Sequence, residues 1–134
     1  METKEKDSIE GFIEMSDVIL VQQKIQEKIT LMERERPKLD TLAREKAVYA
    51  ANYDKAIAIT IMKLNAGKVM DIEGETIKDP AKSIMEKLAK GICYQERLDM
   101  DVAEANYKSQ VQKLDCVKAE LNGYQSINRH LDTT

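Results

Sequence analysis

The sequence predicts an all-α fold: a long antiparallel two-helix hairpin, coiled-coil-like, completed into a helical bundle by self-association. Apolar residues recur at helical spacing over two long stretches, with one breaker-rich joint between them. Of the 134 residues, 43% are hydrophobic and 34% charged, with one Phe, no Trp and five Gly. That is the profile of long helices, not of short strands joined by many turns. At this length the chain makes a single domain.

Residues 1–15 are charged, with Ile9, Phe12 and Ile13 interspersed, and predict a flexible N-terminal arm ahead of a helical-hairpin domain over 16–134. Ser16-Asp17 can cap a first helix over about residues 16–66. Its apolar seam then alternates in steps of four and three: Ile25, Ile29, Met32, Arg36, Leu39, Ala43, Lys46, Ala50, Tyr53, Ile57, then Ile61 and Leu64. Ala47, Ala51, Ala58 and Ile59 widen the stripe. Pro37 removes one helical hydrogen bond and crowds the carbonyl four residues back, so the helix either kinks there or restarts after a short break. Asn65-Ala66-Gly67 is a helix stop with Gly67 in the left-handed position. The joint, residues 67–79, alternates loosely around Gly74 and can form a small β-hairpin or an ordered loop.

Asp79-Pro80 predicts the start of a second helix over about residues 80–131, Asp79 capping and Pro80 at the first helical position. Its early seam reads Ile84, Leu88, Ile92, Leu98, Val102. The later one reads Met100, Ala103, Tyr107, Gln110, Leu114, Val117, Leu121, Tyr124, Asn128, Leu131. Folding the helices back about the joint sets Leu64 against Ile84, Ile57 against the Gly91–Ile92 turn, Ala50 against Leu98 and Ala43 against Ala105. Gly91 then lets a backbone approach Ile57. Arg36, Lys46, Gln110 and Asn128 interrupt the seams. Such residues either snorkel from a register displaced by one, or fix alignment and oligomer state.

No constellation for catalysis emerges. His130 is the only histidine, neither cysteine has metal-ligand spacing, and Gly67–Gly74 lacks the Gly-Lys-Ser/Thr ending of a phosphate loop. Glu96, Asp99, Asp101 and Glu104 read as a solvated helix face, because Arg97 and Lys108 stand beside them. The expectation is a protein without enzymatic activity, metal or cofactor. Cys93 and Cys116, on one helix, would be roughly 35 Å apart at about 1.5 Å per residue, beyond the reach of a disulfide. Free thiols, no apolar leader and no membrane-length run together predict a soluble cytoplasmic protein that does not engage membranes.

The net charge is −3, but between Gln22 and Ala66 nine Lys or Arg stand against six Asp or Glu. Two functional readings follow. In the first, the chain binds a partner protein through Val18 and Val21 or through the joint, with Lys68, Val69, Met70, Ile72, Glu73, Glu75 and Ile77 as contacts. In the second, Lys24, Lys28, Arg36, Arg44, Lys55 and Lys63 contact nucleic acid, which requires binding that falls steeply with salt. A lone hairpin leaves apolar edges at Val18–Val21, Ala58–Ile59 and Val111, so a homo-oligomer, in its simplest form a dimer, is expected.

The stretch Ala103-Glu-Ala-Asn-Tyr-Lys-Ser-Gln-Val-Gln-Lys-Leu-Asp115, continued by Ala119-Glu-Leu-Asn-Gly-Tyr-Gln-Ser-Ile-Asn-Arg129, resembles small helical accessory proteins of temperate bacteriophages of Gram-positive bacteria. The Ala-Tyr-rich stretch Lys46-Ala-Val-Tyr-Ala-Ala-Asn-Tyr-Asp-Lys55 is similar in style. The resemblance covers mainly residues 46–131. It implies an accessory role in the host cytoplasm, such as binding or inhibiting a host protein, opposing host defence, or serving phage DNA metabolism. Two long helices about a small β element also resemble prefoldin-type hairpins, which would imply a chaperone.

Overall fold

The computed structural model describes residues 2–132, with side chains from Ser16 to Asp132. The side chains of the expected N-terminal arm lie outside the described residues. In chain order the elements are α1 (Glu2–Asn65), β1 (Met70–Ile72), β2 (Glu75–Ile77), a 3-10 turn (Lys82–Ile84), α2 (Met85–Ile92) and α3 (Tyr94–Asp132). α1 and α3 are the antiparallel arms of a helical hairpin. The chain divides into two compact units, Met1–Leu39 with Gln110–Thr134, and Asp40–Ser109.

The assigned α1 begins at Glu2, ahead of the Ser16-Asp17 pair expected to cap it, and runs through Pro37 without a break. It stops where the sequence places the stop. Gly67 has φ +75°, its N–H donates to the Leu64 carbonyl at 3.1 Å, and the Lys68 N–H reaches the Lys63 carbonyl at 3.0 Å. These two reversed bonds satisfy carbonyls the helix end would otherwise orphan. A side chain at Gly67 would also meet Asp79 Oδ1 at 3.2 Å.

The joint forms the small β-hairpin. Met70 pairs with Ile77, Asp71 with Thr76 and Ile72 with Glu75, antiparallel. Glu73 (φ +47°) and Gly74 (φ +83°) make the two-residue turn, the conformation whose twist matches that of paired strands.

The second helical stretch differs from the single helix expected over 80–131. Asp79 does not cap: it sits at φ +46°, and the chain stays non-helical through Ala81 before the 3-10 turn. An N-cap residue takes extended backbone, which Asp79 at φ +46° does not, so Asp79-Pro80 extends the joint. α2 then ends at Cys93 (φ −91°, ψ 28°), where the Cys93 N–H still bonds Ala89 O and the Arg97 N–H bonds Cys93 O. The axis is interrupted at one residue while the hydrogen-bond ladder continues.

This longer descent shifts the register of the Asp40–Ser109 unit. Thr60 meets Cys93, and the Lys46 ammonium lies 4.8 Å from the centre of the Tyr107 ring. Tyr94, Leu98 and Val102 therefore run level with residues near 59, 55 and 51, and Ala50 does not face Leu98. The inner positions are Leu64, Met85, Ala89, Cys93 and Ala103, while Ile84, Leu98 and Val102 are exposed. Leu64, expected inside, is there, and from Met85 onward the second arm turns Ala89, Cys93 and Ala103 inward in place of Ile84, Leu98 and Val102. Gly91 faces β1, where an added Cβ would lie 3.5 Å from Ile72 Cδ1, and so does not serve an approach to Ile57.

Candidate functional site

The most strongly perturbed site lies in the unit containing Met1–Leu39 and Gln110–Thr134. Its centre is Glu35, only 1% exposed. Between Met32 and Leu39 every residue but Pro37 is charged, and Pro37 is exposed, so the seam passes a charged side chain inward here. Arg36 was the expected intruder; it is exposed, and Glu35 takes the position. The guanidinium reaches water more readily from the outer face, whereas the carboxylate finds donors on the inner one.

Those donors converge from both helices. Gln110 Nε2 donates to Glu35 Oε2 at 3.0 Å and to the Glu35 backbone carbonyl at 3.1 Å. Lys38 Nζ and Lys113 Nζ stand 3.2 and 3.3 Å from Oε1, and Arg34 Nε stands 3.6 Å from it. The hydrogen bond from Gln110 lowers the Glu35 pKa most, against desolvation that raises it. With the two lysines added, it falls from 4.5 to about 2. A buried carboxylate held this way stays ionised and ties the two helices together just before Pro37.

Elsewhere in this unit Lys28 pairs with Glu120, whose hydrogen bond raises the lysine pKa above its usual value. Asn128 donates weakly to Asp132 at 3.5 Å, and its Oδ1 is buried without a hydrogen-bond partner. In the Asp40–Ser109 unit, Thr60 Oγ1 and Cys93 Sγ are 3.2 Å apart and buried. Cys93 and Cys116 are both free thiols.

The residues singled out from sequence are spread along the elements. Val18 and Val21 are half-buried, and the neighbouring Ile19 and Leu20 are the exposed pair. At the joint Lys68, Val69, Glu73 and Glu75 are exposed, while Met70, Ile72 and Ile77 are half-buried on the hairpin. Among the candidate nucleic-acid contacts, Lys24 bridges Glu27 at 3.3 Å and Lys28 is held by Glu120, whereas Arg36, Arg44, Lys55 and Lys63 are exposed. Asp101 and Glu104 pair with Arg97 and Lys108 one turn away, and Asp99 accepts from Gln95. No cluster of His, Cys, Asp or Glu among the described residues is arranged to hold a metal ion. None of the helices there is long and apolar enough to cross a membrane.

Sequence reasoning singled out Gln110 but missed Glu35 and Thr60. The polar Gln110 on the facing seam signalled a polar partner on α1, but its amide both donates and accepts and so does not choose between Glu35 and Arg36. Compared with protein-family models, with curated proteins and with solved structures, the chain finds no match.

Proposed function

We propose that this chain is a non-enzymatic helical interaction module, a phage-encoded accessory protein that binds or inhibits a host protein in the host cytoplasm. In this reading it also self-associates, in its simplest form as a dimer. One observation carries the proposal. Among the described residues twelve large apolar side chains stand exposed, including the adjacent pair Ile19 and Leu20 on α1 and the pair Leu98 and Val102 on α3. Apolar surface of this kind gains stability only when a partner removes it from water. At the joint Val69 is exposed next to Lys68 in sequence, ahead of the first paired residue of the β-hairpin, Met70, while Glu73 and Glu75 are exposed at its turn.

The nucleic-acid reading has less support, because two of its six cations are already engaged by carboxylates of the same unit. The test is capture by the tagged full chain from host lysate, with and without nuclease. A discrete protein retained after nuclease, and lost on Val69→Asp, is the expected result. Retention that disappears with nuclease would transfer the function to nucleic acid.

A further inference from the structure

In the Asp40–Ser109 unit, α1 carries a second stripe beside its buried seam: Glu45, Tyr49, Asn52, Ala56, Ile59, Lys63, in steps of four, three, four, three and four. That is the spacing by which one helix face meets another helix. All of these residues are exposed except the half-buried Ala56; Tyr49 is 38% and Ile59 40% exposed. Tyr49 shares a shallow groove with Leu98 and Val102 of α3, Leu98 being 52% exposed, so the apolar surface continues across the helix pair.

The charges on the stripe have an order. It starts with an acid and ends with a base, and neither Glu45 nor Lys63 has an ion-pair partner among the described residues. Laid antiparallel on a copy of itself, the stripe sets Glu45 opposite Lys63, Tyr49 opposite Ile59 and Asn52 opposite Ala56, each pair occurring twice. A two-fold interface demands this self-complementarity, in which residue i meets j and j meets i. A parallel copy would set Glu45 on Glu45 and Lys63 on Lys63.

We infer that the Glu45–Lys63 face of α1 is a homodimer interface that pairs antiparallel with a second copy of this chain. The inference rests on the self-association part of the proposed function and gives it a surface; it does not require a host partner. Tyr49 and Ile59 supply the apolar contact, Leu98 and Val102 extend it, and the paired charges set the direction.

The test is charge reversal followed by sedimentation velocity on the full chain. Glu45→Lys places two lysines opposite each other at each end, and Lys63→Glu places two glutamates. Each should raise the dimer dissociation constant about tenfold or more, since two attractive pairs become repulsive. Mixing the two variants should restore the dimer, because every lysine again faces a glutamate, and the double variant should dimerise alone. Both positions are exposed, so circular dichroism should be unchanged. Dimers indifferent to either reversal would overturn this face while leaving self-association intact. A wild-type chain that stays monomeric would overturn both, and host-protein capture by that monomer would leave the interaction reading standing.

Discussion

Glu35 makes the fold sensitive to acid in a way that one substitution can isolate. Its folded pKa, about 2, lies below the unfolded value of 4.5, so the unfolded chain binds the proton more tightly. The stabilisation it provides is complete above about pH 4.5 and is lost as pH falls from there towards about 2. Denaturant titrations between those limits should show stability falling for the natural chain and a flatter profile for Glu35→Gln. Equal slopes would mean that Glu35 is not the titrating group. The glycines separate in the same experiment. Gly91→Ala puts a methyl at an ordinary contact distance in a helix and should raise stability by about 1 kcal/mol. Gly67→Ala, at φ +75° and 3.2 Å from Asp79 Oδ1, should lower it by about 1 kcal/mol or more.

At the scale of the elements, local chemistry was legible. The stop at Gly67, the turn at Gly74 and the late seam from Met100 to Leu131 follow from left-handed glycine and from heptad spacing, which neighbouring residues alone define. The start of the second arm was not. Asp79-Pro80 has the composition of a helix start, but Asp79 is left-handed and packs towards Gly67, a contact between chain segments that no local window contains. The resulting shift turned Ile84, Leu98 and Val102 outward and brought Ala89 and Cys93 in. Leu64, 2% exposed at the end of α1, packs into this corrected core. Leu64→Ala should cost about 2–5 kcal/mol by chemical denaturation, whereas Leu98→Ala should change stability little in the monomer. The reverse order would restore the register expected from spacing.

For the whole molecule the question is what covers the exposed apolar side chains. If protein partners do, affinity for double-stranded DNA should be absent or weak, with no steep loss between about 50 and about 200 mM salt. Fluorescence anisotropy on labelled duplexes would check this. Tight binding with a steep salt slope would favour Arg36, Arg44, Lys55 and Lys63 as contacts. The same exposed surface predicts a mass in solution that grows with concentration, as measured by light scattering.

The sequence by itself determined that two long helices fold back about a short joint, because helical periodicity, a left-handed glycine and a turn glycine act within a few residues. It also filled the seam between Met32 and Leu39 with charged side chains, Pro37 apart. Which one enters was decided only by the tertiary structure. Glu35 and Arg36 are both charged neighbours, and the choice depends on Gln110 and Lys113 arriving from the other helix. The same holds for Thr60 and Cys93, which become buried partners because the non-helical residues after Asp79 set how far the second arm slides along the first.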